Sequence, residues 1–212
     1  MKRRDNFRTS LIMFSAGILA GIVCRLTDFL PYEESLWSLP SMATLFGFWI
    51  ASVVVITDIS ASNKGAFLNV FLYMFGMTVS FYGLKYILGL YMPMFSNCGE
   101  FQTELFVIYS VLSVFCGAGG YILYFWNKKN LFGSFLCALP AGAMLAEAAG
   151  CLAVLISSRM LLAQTIFDTV FTLVFAVRFY KKAAHRAVYS GAAAAAAVLL
   201  YFTVYRPFLL TV

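Results

Sequence analysis

The chain has 212 residues, of which 62% are hydrophobic, 17% aromatic and 11% charged, with a formal net charge of +6. A soluble domain carries about 25% charged residues, and here the mean hydropathy is +0.87. Together these values exclude a soluble enzyme, a disordered segment and a disulfide-stapled secreted module. They predict an all-α, polytopic transmembrane helix bundle forming a single integral membrane domain over residues 1–212.

Uncharged runs mark the predicted elements in chain order. Lys2, Arg3, Arg4 and Arg8 precede a 16-residue run, Thr9 to Cys24. A basic start and short apolar core resemble a signal peptide. Bulky Ile22 and Val23 before Cys24 argue instead for a retained first span. The second run is Ser35 to Thr57, and the third runs from Gly65 to Leu84, continuing past Lys85 to Met92. The fourth is Leu105 to Asn127, and the fifth runs from Asn130 past Glu147 to Ser158. Met160 to Val177, containing Asp168, is the sixth, and Ala187 to Tyr205 is the seventh. The turn Ser157-Ser158-Arg159 is so short that the fifth and sixth spans could instead be a re-entrant or broken pair. Continuous rather than alternating runs exclude barrel strands.

Seven spans with the N-terminus inside and the C-terminus outside place 11 of the 15 Lys and Arg residues on the inner side. That satisfies the positive-inside rule. The basic charges fall in short clusters between runs, so nucleic-acid binding is not expected. Tyr32, Trp37, Tyr91 and Phe101 flank outer ends, and Tyr124, Trp126, Phe179 and Tyr180 flank inner ends. Those are depths that suit amphipathic rings.

Ionisable groups at bilayer depth are the strongest functional signal. A charge near the midplane costs roughly 2.5–3.5 kcal/mol on insertion scales, so such groups face a polar interior and pair. From the helical rise, Asp168 lies about 13 Å and Glu147 about 18 Å below Arg159, near the middle of the ~30 Å core. Lys85 lies about 10 Å below Met92, and Glu104 lies close to the surface. Arg25 and Asp28 cap the first span. These six residues are therefore the candidate ligand-binding set, lining a polar cavity open to the outside. Lys85 would serve as anion partner or counter-ion, and Glu147 or Asp168 as the proton- or cation-binding group. Two carboxylates in one low-dielectric space require a proton, a basic partner or a bound cation.

Small residues repeat at four-residue spacing: Ala16/Ala20 and Gly17/Gly21 in the first span, and Ala138, Gly142, Ala146 and Gly150 in the fifth. Such stripes let helices approach closely. They serve either packing within the bundle or, through Ala16, Ala20, Gly142, Ala146 and Gly150, docking of a partner membrane subunit. Membrane lipid is the other expected partner. Pro140 and the stretch Cys116-Gly117-Ala118-Gly119-Gly120 predict kinks.

Enzyme signatures are missing. There is no HExxH, GxSxG or glycine-rich phosphate loop, and the single His185 lies in a basic loop away from Cys98. Glu33-Glu34 resembles the paired glutamates of some membrane-embedded proteases but lacks their partner residues. The five cysteines show no CxxC spacing, so no metal site and no cofactor are expected from them. An enzyme is not expected.

The segments Arg25-Leu26-Thr27-Asp28-Phe29-Leu30-Pro31, Leu36-Trp37-Ser38-Leu39, Gly47-Phe48-Trp49-Ile50 and Tyr73-Met74-Phe75-Gly76-Met77-Thr78 carry a resemblance. Over roughly the first 90 residues the chain resembles a family of small multi-pass bacterial membrane proteins of unknown function. The resemblance implies a bacterial inner-membrane location and six to seven helices, and no activity. Ala16 and Ala20 also resemble the docking face of the substrate-binding subunits of energy-coupling-factor vitamin transporters. Six helices are usual in those subunits. The function expected is small-solute recognition or transport through the outward-facing cavity, with a membrane scaffold or sensor subunit as the alternative.

Overall fold

The computed structural model describes residues 7–30, 36–91 and 100–209. Glu33, Glu34, Tyr32, Cys98 and the basic residues Lys2 to Arg4 lie outside them. Among the described residues the fold is helical, with no strand. The elements are α1 (Phe7–Thr27), α2 (Ser41–Thr44), α3 (Phe46–Ile59), α4 (Asn63–Tyr91), α5 (Thr103–Leu123), α6 (Leu131–Ser158), α7 (Leu162–Lys182), α8 (Arg186–Leu200) and α9 (Arg206–Leu209). A 3-10 turn, Tyr124–Asn127, follows α5, and a π turn, Tyr201–Tyr205, joins α8 to α9.

Six helices among the described residues are long and apolar enough to cross a membrane. They are those of a multi-pass membrane protein. They fall on six of the seven predicted runs. The exception is Ser35 to Thr57, where Leu45 adopts an extended backbone (φ −80°, ψ 160°) and splits the run into α2 and α3. The 14 residues of α3 span about 21 Å, short of the ~30 Å hydrocarbon core. By contrast, α6 and α7 are both full-length helices of 28 and 21 residues. The polarity of the fold is inverted relative to a soluble domain. Glu147, Gln164 and Asp168 are each 0% exposed, whereas Ile156 is 73% and Phe115 67% exposed.

The chain forms two compact units: residues 1–29 with 55–124, and residues 30–54 with 125–212. In the first, α4 packs against both α1 and α5. Gly17 and Gly21 are buried against the α4 backbone at Tyr73 and Met77, while Ala16 and Ala20 are half-buried. The Gly117–Gly120 stretch leaves α5 unbroken. Its glycines instead admit α4, since a Cβ at Gly117 would stand 3.1 Å from the Phe67 carbonyl oxygen.

In the second unit α6 packs against α7 and α8. Asn130 starts α6 by accepting the Gly133 N–H at 2.7 Å, a side-chain N-cap. The helix continues through Pro140 without a break. Its small-residue stripe is occupied within the unit. Gly142 faces Ala193 and Ala196 of α8, and Ala138, Ala146 and Gly150 are buried. Trp126 and Phe179, expected at the inner membrane interface, are buried against each other with centroids 4.7 Å apart.

Candidate functional site

The α6–α7 hairpin is closed by two left-handed residues, Arg159 (φ 59°) and Leu161 (φ 66°). Left-handed backbone costs a non-glycine residue about 1–2 kcal/mol, so something must offset it here. Leu161 is buried in a cluster with Leu45 and Cys151, and the Leu162 N–H donates to the Leu36 carbonyl at 3.0 Å. Burial and this bond hold the turn. The register it sets places Cys151 and Asp168 at similar distances from the turn, on facing helices.

Helical periodicity then assembles the centre. Residues four apart share a helix face, which aligns Glu147 with Cys151 on α6 and Gln164 with Asp168 on α7. The Gln164 amide bridges the helices: its Nε2 donates to Asp168 Oδ1 at 2.9 Å and to Glu147 Oε1 at 3.3 Å. The break at Leu45 supplies a further donor. An α-helix leaves its first N–H groups without intrahelical acceptors and carries partial positive charge at that end. At the start of α3, the Gly47 N–H donates to Glu147 Oε1 at 2.7 Å. The Tyr205 hydroxyl, presented by the π turn, donates to Glu147 Oε2 at 2.9 Å, and its ring meets Phe46 edge-on at 6.2 Å.

Gly47 is required for this approach, because a Cβ there would overlap Asp168 Oδ1 and stand 2.7 Å from Gln164 Nε2. Glu147, Cys151, Gln164 and Asp168 are all fully buried. The donors to the carboxylates are uncharged. Among the described residues no Lys, Arg or His pairs with Glu147 or Asp168. Asp168 Oδ2 and Gln164 Oε1 are buried without a hydrogen-bond partner.

The six residues expected to line one cavity are divided between the units. Glu147 and Asp168 come together in the second. In the first, Arg25 pairs with Asp28 at 2.6 Å and lies over the rings of Phe29 and Phe81. Lys85 donates to Gln102 Oε1 at 2.9 Å, and Glu104 is exposed in the first turn of α5. The hydrogen-bond donors at the carboxylates are Gly47, Gln164 and Tyr205, all neutral. Sequence reasoning missed these three and Cys151. The available signals were the four-residue spacings Glu147/Cys151 and Gln164/Asp168, and a tyrosine within an apolar run.

No family model, curated protein or solved structure matches the chain.

Proposed function

We propose that the protein recognises or transports a small solute across the bacterial plasma membrane, with a cation bound at the Glu147–Asp168 centre as part of that activity. Seven membrane segments, with α2 and α3 together as the interrupted second one, N-terminus inside and C-terminus outside, and an outward-facing route to the centre, complete the reading. The observation that carries it is the pair of fully buried carboxylates held by neutral donors. Removing a charge from water costs several kcal/mol unless it is compensated. Neutral donors supply part of the compensation, and a cation between the two carboxylates supplies the rest.

The test is a thermal-shift screen of the purified protein in detergent. Alkali cations, divalent cations and small organic cations are added at constant ionic strength. At least one cation is expected to raise the midpoint in the wild type, and Glu147→Gln and Asp168→Asn are expected to lose that rise. A screen in which no cation stabilises the wild type, or in which the rise survives both substitutions, refutes the proposal.

The complete burial of both carboxylates favours a second reading, a membrane scaffold or sensor subunit in which the centre only fastens α6 to α7. That reading predicts no cation response, and a loss of stability in both variants.

A further inference from the structure

We infer that the centre is a site for a thiophilic divalent metal ion of the zinc class, ligated by Glu147, Cys151 and Asp168. The inference rests on the reading that the centre holds a cation, and it names which kind. One carboxylate oxygen of Glu147, one of Asp168 and the Cys151 sulfur all lie within 4.8 Å of one another. Tetrahedral ligands at about 2.0–2.3 Å from zinc stand about 3.3–3.8 Å apart. Closure by about 1 Å, within the reach of side-chain rotation, would complete such a shell.

Beyond the clustering itself, an unsatisfied oxygen of Asp168 points to a ligand. Asp168 Oδ2 and Gln164 Oε1 are acceptors on fully buried side chains, and neither has a hydrogen-bond partner. Buried acceptors are ordinarily satisfied, and an exception calls for an unplaced donor or ion. A metal ion held by the carboxylates and the sulfur can take Asp168 Oδ2.

Charge and softness choose the ion. With Cys151 bound as a thiolate, its proton released on binding, the two carboxylates and the sulfur carry three negative charges, of which a divalent cation offsets two and an alkali ion only one. Oxygen ligands alone would suit magnesium or calcium, but a sulfur in the set selects zinc and its neighbours. The Gly47 N–H and Tyr205 hydroxyl on Glu147 then act as outer-shell groups that orient a ligating carboxylate.

The test uses the full chain without an affinity tag, purified in detergent and loaded with Zn2+ or Co2+ alone. About one ion per chain is expected after dialysis. X-ray absorption of the zinc-loaded wild type should show a single sulfur at about 2.3 Å with oxygen ligands at about 2.0–2.2 Å. The cobalt form should show a thiolate-to-metal charge-transfer band that Cys151→Ser abolishes. Losing an outer-shell partner typically weakens metal binding by about 10–100-fold, so Asp168→Asn, which removes a ligand, is expected to weaken it at least about 100-fold. Melting curves without metal check that each variant is folded, and the absorption measurement needs no variant.

A wild type that retains neither metal, or a zinc shell without sulfur, overturns the inference. Stabilisation by Na+, K+ or an organic cation but not by Zn2+ or Co2+ overturns the zinc-class assignment while leaving the cation site intact. Stabilisation by no cation removes both.

Discussion

Gly47→Ala perturbs the packing of the carboxylate centre without removing the backbone donor to Glu147. The alanine keeps the backbone N–H that Glu147 accepts at 2.7 Å, so that bond is not deleted. What changes is space. The new methyl would overlap Asp168 Oδ1 and stand 3.0 Å from Asp168 Cγ and 2.7 Å from Gln164 Nε2. Either the Asp168 carboxylate swings away and loses the 2.9 Å bond from Gln164, or α3 moves as a body. Overpacking costs about 1–3 kcal/mol, and a lost hydrogen bond to a charged group about 1.5–3 kcal/mol. A loss of about 2.5–6 kcal/mol is therefore expected where both apply. Gly191→Ala is the control, since a Cβ there meets nothing within 4 Å. Alanine is the better helix former by up to about 1 kcal/mol, so this variant should be neutral or stabilised. Reversible unfolding of both proteins in mixed detergent micelles measures the difference. Equal stabilities would refute the steric argument and the placement of α3 against Asp168.

Other substitutions test the remaining contacts. Tyr205→Phe removes the donor 2.9 Å from Glu147 Oε2 and should cost about 1.5–3 kcal/mol. In a double-mutant cycle with Glu147→Gln the two losses should not add, with a coupling of about 0.5–3 kcal/mol. Gly17→Ala drives a methyl into the Tyr73 carbonyl, and Gly142→Ala places one 2.7 Å from the Ala193 carbonyl oxygen. Each should lower stability by about 1–3 kcal/mol, while Gly83→Ala, open to 4 Å, should not. Asn130→Ala deletes the α6 cap and should cost about 0.5–2 kcal/mol in the same unfolding assay.

Run length and charge made the long helices legible, because crossing hydrocarbon constrains composition directly. They did not reveal the interruption at Leu45. The residue is apolar and sits inside an uncharged run, so nothing in composition distinguishes its extended backbone from a helical turn. Depth arithmetic brought Glu147 and Asp168 both near the middle of the core, and Gln164 does join them. The same arithmetic put Lys85 in that set, and the hydrogen bond it makes within the first unit, to Gln102, was not foreseen. Counting residues along a helix fixes height but not direction around the axis, and it does not say which helices become neighbours. Cys151 was passed over because cysteine spacing was compared only with other cysteines and His185, while its partners are carboxylates on its own helix and the next one. The small-residue stripe on α6 was visible, and its occupant, the alanine-rich α8, became evident only from the packing.

The acceptor of the Gly47 N–H lies 100 residues downstream, which sets an order of events during synthesis. At about 5–20 residues per second, the ribosome needs about 5–20 s to deliver Glu147 after Gly47 has emerged. The second unit is itself interrupted in the chain, with residues 30–54 made first and residues 125–212 made only after the rest of the first unit. The start of α3 must therefore wait, half-built, while α4 and α5 are threaded into the bilayer. Translation that stalls before α6 would leave residues 30–54 without the rest of the unit they belong to.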